Sequence, residues 1–72
     1  MKRVINKTVD LDLVGTDGNA FAIIAVFKRQ AQREGWTPNE IQQVLTEAKS
    51  ADYDHLLATI INHCEFKDDV NL

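Results

Sequence analysis

Thr8-Val9-Asp10-Leu11-Asp12-Leu13 is the stretch on which the fold class turns. Apolar Val9, Leu11 and Leu13 alternate with polar Thr8, Asp10 and Asp12, the period of two expected of a strand with one wet face. The pattern predicts strand or extended chain from Arg3 to Val14. Just downstream, Gly15-Thr16-Asp17-Gly18-Asn19 combines two glycines with residues that turn chains or cap helices. The strand is expected to end there and a helix to begin, with Asp17 or Thr16 as its N-cap.

From Ala20 to Glu34 the chain holds good helix formers, with Ala20, Ile24, Phe27 and Ala31 spaced three or four apart. Lys28, Arg29 and Arg33 lie toward the C-terminal end, where cations interact well with the helix dipole, and Gly35 follows as the natural C′ residue. The first two turns are apolar nearly all round, including Ala22, Ile23, Ala25 and Val26, so more than one surface must cover them, within the chain or from a second copy. Next comes the clearest helix start in the sequence. Thr37-Pro38-Asn39-Glu40 places a hydroxyl at the N-cap, proline at N1 and Glu at N3, and Trp36 with Ile41 completes a hydrophobic staple. Ile41, Val44, Leu45 and Ala48 mark its apolar face. A third helix opens at Ser50 or Asp52, with Tyr53, Leu56, Leu57, Ile60 and Cys64 in one stripe. Glu65 to Leu72 reads equally as a second short strand or a frayed tail. The expectation is a single α+β domain over residues 1–72, β-α-α-α-β if the last strand forms.

With 44% hydrophobic and 26% charged residues the composition is that of an ordered globular domain, and 72 residues allow only a modest core. A single cysteine, Cys64, excludes an intrachain disulfide. No signal-peptide pattern is present, and the longest apolar run, Ala20 to Phe27, is too short to span a bilayer. A cytoplasmic location with no membrane partner is expected. The net charge of −3 argues against nucleic-acid binding. Residues 1–36 carry six basic and four acidic side chains, and residues 37–72 two basic and seven acidic, an imbalance that could draw halves together within or between chains.

Each candidate for chemistry meets a plainer reading. Asp10, Asp12 and Asp17 are closely spaced carboxylates, yet a calcium loop starting at Asp10 would put Val14 and Phe21 at ligand positions. His55 and His63 are about 12 Å apart along a continuous helix, too far to share a metal ion. His63 and Cys64 point about 100° apart. No catalytic residue, metal site or cofactor is assigned. Asp17, Gly18 and Asn19 before the first helix, Arg29 and Arg33 on it, and Tyr53, Asp54 and His55 at the start of the third are the candidate binding residues.

Three segments, Leu11-Asp12-Leu13-Val14-Gly15-Thr16-Asp17-Gly18-Asn19-Ala20-Phe21, Arg33-Glu34-Gly35-Trp36 and Asp52-Tyr53-Asp54-His55-Leu56-Leu57, resemble a family of short uncharacterised proteins from phages and bacterial genomes. The likeness runs from about Thr8 to His63 and implies no activity and no site residues. It implies a phage or prophage accessory protein, of the kind that acts by binding a host protein, a nucleotide or its own copies. The leading expectation is therefore a non-enzymatic binding module that forms a homo-oligomer. A second reading is a small-molecule or nucleotide-sequestering protein whose site lies at helix N-termini between subunits, with Arg29 or Arg33 holding phosphate. A third is a helix-turn-helix regulator that would place the Ile41 to Lys49 helix in the major groove.

Overall fold

The structure, a computed structural model, describes residues 3–65. Its regular elements are α1 (Ala20–Arg33), α2 (Pro38–Ala48) and α3 (Tyr53–Asn62). Among the described residues there is no strand and no sheet, so the fold is all-α and the α+β expectation is corrected. Among the described residues, the segment expected to be a strand from Arg3 to Val14 pairs with another backbone at Val9, in an isolated parallel bridge to Cys64. There the Val9 N–H donates to the His63 carbonyl (2.8 Å) and the Glu65 N–H donates to the Val9 carbonyl (2.8 Å). Of the segment from Glu65 to Leu72, which reads equally as a second short strand or a frayed tail, all beyond Glu65 lies outside the described residues.

The reason lies in what the alternation reports. Val9 is buried, Leu11 and Leu13 are half-buried, and Asp10 and Asp12 are exposed, so the inward and outward faces are those the sequence implied. A strand, however, requires a neighbouring backbone along its length. This segment has an apolar surface beneath it instead, with Ile5, Leu11 and Leu13 packed against the helical core. Its backbone groups are met one at a time: the Asp10 N–H donates to Glu34 Oε2 (2.8 Å) and the Val14 N–H to Asp12 Oδ1 (3.0 Å), and the Thr16 N–H donates to the Leu13 carbonyl (2.9 Å).

Helix ends are set by local chemistry. Asn19, not Asp17 or Thr16, caps α1: its Oδ1 accepts the Phe21 N–H at 2.8 Å. Asp17 Oδ1 accepts the Asn19 N–H at 3.1 Å and so shapes the turn before the cap. At the other end Gly35 has φ +87°. The Gly35 N–H donates to the Gln32 carbonyl and the Trp36 N–H to the Ala31 carbonyl, the paired bonds of a Schellman ending. The capping box of α2 forms as read: Thr37 Oγ1 accepts the Glu40 N–H (3.2 Å) and Glu40 Oε1 accepts the Thr37 N–H (2.8 Å). Asp52 caps α3 by accepting the His55 N–H at 2.9 Å.

The core gathers one stripe from each helix, Ile23, Phe27 and Ala31 from α1, Ile41, Val44, Leu45 and Ala48 from α2, Leu56 and Ile60 from α3, and adds Val9 and Trp36. Phe27 meets Trp36 edge to face, with centroids 5.6 Å apart at 88°. Lys7 ties the N-terminal segment to α2 through Glu40 (2.8 Å) and lies 5.9 Å from the Trp36 ring centre. His63, fully buried, ties it to α3. Its Nδ1 lies 2.9 Å from the Thr59 carbonyl, and its Nε2 faces the N–H groups of Val4 (3.1 Å) and Ile5 (3.4 Å). A carbonyl can only accept and a backbone N–H can only donate, so the ring carries its proton on Nδ1 and accepts both bonds at Nε2.

Candidate functional site

The loop before α1 and the first turn of α3 are brought together. The Tyr53 hydroxyl donates to the Gly18 carbonyl, joining positions 35 apart in sequence. Beside this contact a groove of about 320 Å³ runs between α1 and the α2–α3 corner. Ala20, Phe21 and Ile24 form one wall, Lys49, Ala51, Asp52 and Tyr53 the other, and Ala48 and Leu56 lie at its base. The groove exists because the apolar stripe of α1 is wider at its N-terminus than the corner can cover. Ile23 is buried and Ile24 half-buried, while Phe21 remains 82% exposed.

Of the residues singled out in the sequence, Gly18 and Tyr53 touch, Asp17 and Asn19 shape the same loop, and Asp54 is exposed one residue after Tyr53. His55 goes elsewhere. Its Nε2 lies 2.8 Å from Glu47 Oε2 and 3.1 Å from the Glu47 carbonyl, so the ring fastens the end of α2 to α3. Arg29 and Arg33 are exposed on α1, about 12 and 18 Å of helix rise beyond Phe21, so within one chain they do not reach the loop. Phe21 was not singled out by sequence. The signal was the excess apolar area of the first two turns, and the missing fact was that the buried stripe centres on Ile23, Phe27 and Ala31, which leaves Phe21 outside it.

The surface suits apolar contact with a polar rim. Among the described residues no group of three or more His, Cys, Asp and Glu side chains is placed to hold a metal ion. Cys64 borders a second, smaller groove of about 280 Å³ with Leu11, Leu13, Val14 and Ile61. Burial, with Glu34 adding to it, pushes its thiol up to about 11, which keeps it protonated and poorly nucleophilic near neutrality. No helix among the described residues is long and apolar enough to cross a membrane. Comparison with known proteins brings no match: no protein-family model, no curated protein and no solved structure corresponds to the chain.

Proposed function

We propose that the protein is a non-enzymatic binding module, a phage or prophage accessory protein that acts by binding a host protein or by self-assembly. The observation that carries this is Phe21, a large aromatic side chain 82% exposed at the lip of an apolar groove whose other wall holds Tyr53 and Asp52. Covering such a side chain contributes about 1.5–3 kcal/mol, and aromatic anchors beside a pocket are where protein interfaces concentrate their energy. The accessory role is supported by the resemblance to short phage and bacterial proteins.

The nucleotide reading has less support, because the Phe21 N–H at the start of α1 is already taken by Asn19 and the two arginines lie far along the helix. In the regulator reading the α2 surface would present Asn39, Gln42, Gln43, Thr46 and Glu47 with only Lys49 to meet phosphate.

A photo-cross-linking phenylalanine analogue at position 21, compared with the same analogue at exposed Thr46 on α2, tests the proposal in cells. Adducts specific to position 21 are expected. No adduct at 21, or the same adducts from 46, overturns the proposal. Thermal unfolding against nucleotides provides the contrast: a ligand at about 100 times its Kd adds about 2.7 kcal/mol to the folded state.

A further inference from the structure

The outward face of α1 has an internal order. At about 100° per residue, Ala25 and Arg29 fall on the side of the helix opposite the buried stripe of Ile23, Phe27 and Ala31, with Phe21 and Arg33 about 60° to either side. Phe21, Ala25, Arg29 and Arg33 are all exposed. The apolar and small residues occupy its first half and the cations its second. An exposed anion, Asp17, lies just ahead of the helix. Among the described residues none of Asp17, Arg29 and Arg33 is in an ion pair.

That order is self-complementary in one arrangement. When two identical helices pack antiparallel across a two-fold axis, every contact is made twice, and positions equidistant from the crossing point face each other. Centred on Ala25, Phe21 faces Arg29 of the second copy, and the turn that carries Asp17 ahead of the Asn19 cap is brought toward the far end of the partner helix, where Arg33 lies. Two alanines meet at the crossing, where small side chains allow the helix axes to approach to about 8 Å. The aromatic face gains a guanidinium and the anion gains a cation, twice over.

We propose that two copies of this chain pair antiparallel through the outward face of α1, crossing at Ala25 and joined by Phe21–Arg29 and Asp17–Arg33 contacts between copies. The inference rests on the reading of Phe21 as a contact residue and names its partner as a second copy. One helix face is a small interface, at the low end of specific contacts, so micromolar association is the expectation.

Sedimentation velocity on the intact chain, from about 5 to about 500 µM at low salt, tests the pairing. A monomer–dimer equilibrium is expected. Ala25→Glu sets two carboxylates against each other on the axis and should weaken association about 100-fold. Ala25→Arg serves equally should the first variant fail to fold. Asp17→Arg and Arg33→Asp should each weaken it about tenfold, and the two together should restore it to within a few-fold. Ile61→Glu, on the other groove, should leave it unchanged. A chain monomeric throughout, a dimer indifferent to both Ala25 substitutions, or a charge swap without rescue overturns the pairing. A monomer that still cross-links another protein at position 21 keeps the binding-module reading and ends this one, whereas loss of all adducts at 21 ends both.

Discussion

Replacing His63 by Leu keeps roughly the volume of a fully buried ring and removes every polar atom it carries. Three bonds vanish: the donor to the Thr59 carbonyl and the acceptor for the Val4 and Ile5 N–H groups. A buried polar group deprived of its partner costs about 1–3 kcal/mol. The two N–H groups have an escape, because Val4 is exposed and Ile5 half-buried, so the segment can lift and take water. Lifting forfeits the packing of Ile5 on the core. Added burial of the leucine recovers part of the sum, and the net loss is about 2 kcal/mol, large against the roughly 4–11 kcal/mol expected for a domain this size. In urea, with a slope near 1 kcal/mol/M, the midpoint should fall by about 2 M. Hydrogen exchange should show amide protection at Val4 and Ile5 disappearing while α1 and α2 keep theirs. Deleting residues 1–5 should remove about 1 kcal/mol of the His63→Leu effect, since the two changes act through the same contacts. A His63→Leu protein within about 0.5 kcal/mol of the parent, with both amides still protected, refutes this account of the buried ring.

Other outcomes follow from the helix ends and the thiol. Gly35→Ala forces a side chain onto φ +87° and should destabilise by about 1–2 kcal/mol although nothing lies within 4 Å of the added methyl, as chemical denaturation would show. Thr37→Ala removes one arm of the α2 capping box and should cost about 1 kcal/mol by the same measurement. Glu40 is held below the ordinary carboxylate range by its bond from Lys7 and then by the Thr37 N–H. Its stabilising share is therefore present above the unfolded carboxyl value and lost as pH falls through the lower folded one, and Lys7→Gln should blunt that acid sensitivity. Cys64, raised from 9.0 to about 11, should react with a disulfide reagent at pH 8 about 100-fold more slowly than a free thiol, judged from thiolate content. Because the folded state holds this proton more tightly, its contribution is full below the unfolded value and fades as pH rises toward about 11.

The helices were legible because their signals are local. The Thr37 capping box and Gly35 after α1 act within about one turn and appear where the residues implied, and of Ser50 and Asp52, the two residues offered for the start of α3, Asp52 is the cap. The strand was misread because alternation at Val9, Leu11 and Leu13 records which side chains meet an apolar surface and is silent on whether a neighbouring backbone lies alongside. Thr16, Asp17 and Asn19 are all capping side chains within four positions; Thr16 and Asp17 were the expected caps, and the choice fell to Asn19 because its side chain reaches the Phe21 N–H. Nothing near His63 announces its role, since the groups that its Nε2 accepts from are backbone N–H groups 58 and 59 positions away. Of the candidate site, the sequence offered the Asp17-Gly18-Asn19 loop and the Tyr53-Asp54-His55 helix start separately; that Tyr53 meets Gly18 took the packing of α3 beside the loop, and Phe21 needed the rotation of α1 about its axis.

The bonds from Val4, Ile5 and Val9 to His63, with Arg3 Nε donating to the Asn62 carbonyl at 2.9 Å, fasten the beginning of the described chain to its end. Residues 3–63 thus form a nearly closed loop. Shutting a loop of that length carries an entropic toll of about 3–4 kcal/mol, which the short hops between successive helices escape. Folding should accordingly proceed from helix contacts to the clasp, and gentle stress should undo the clasp first, leaving a three-helix body with Val9 withdrawn from its centre.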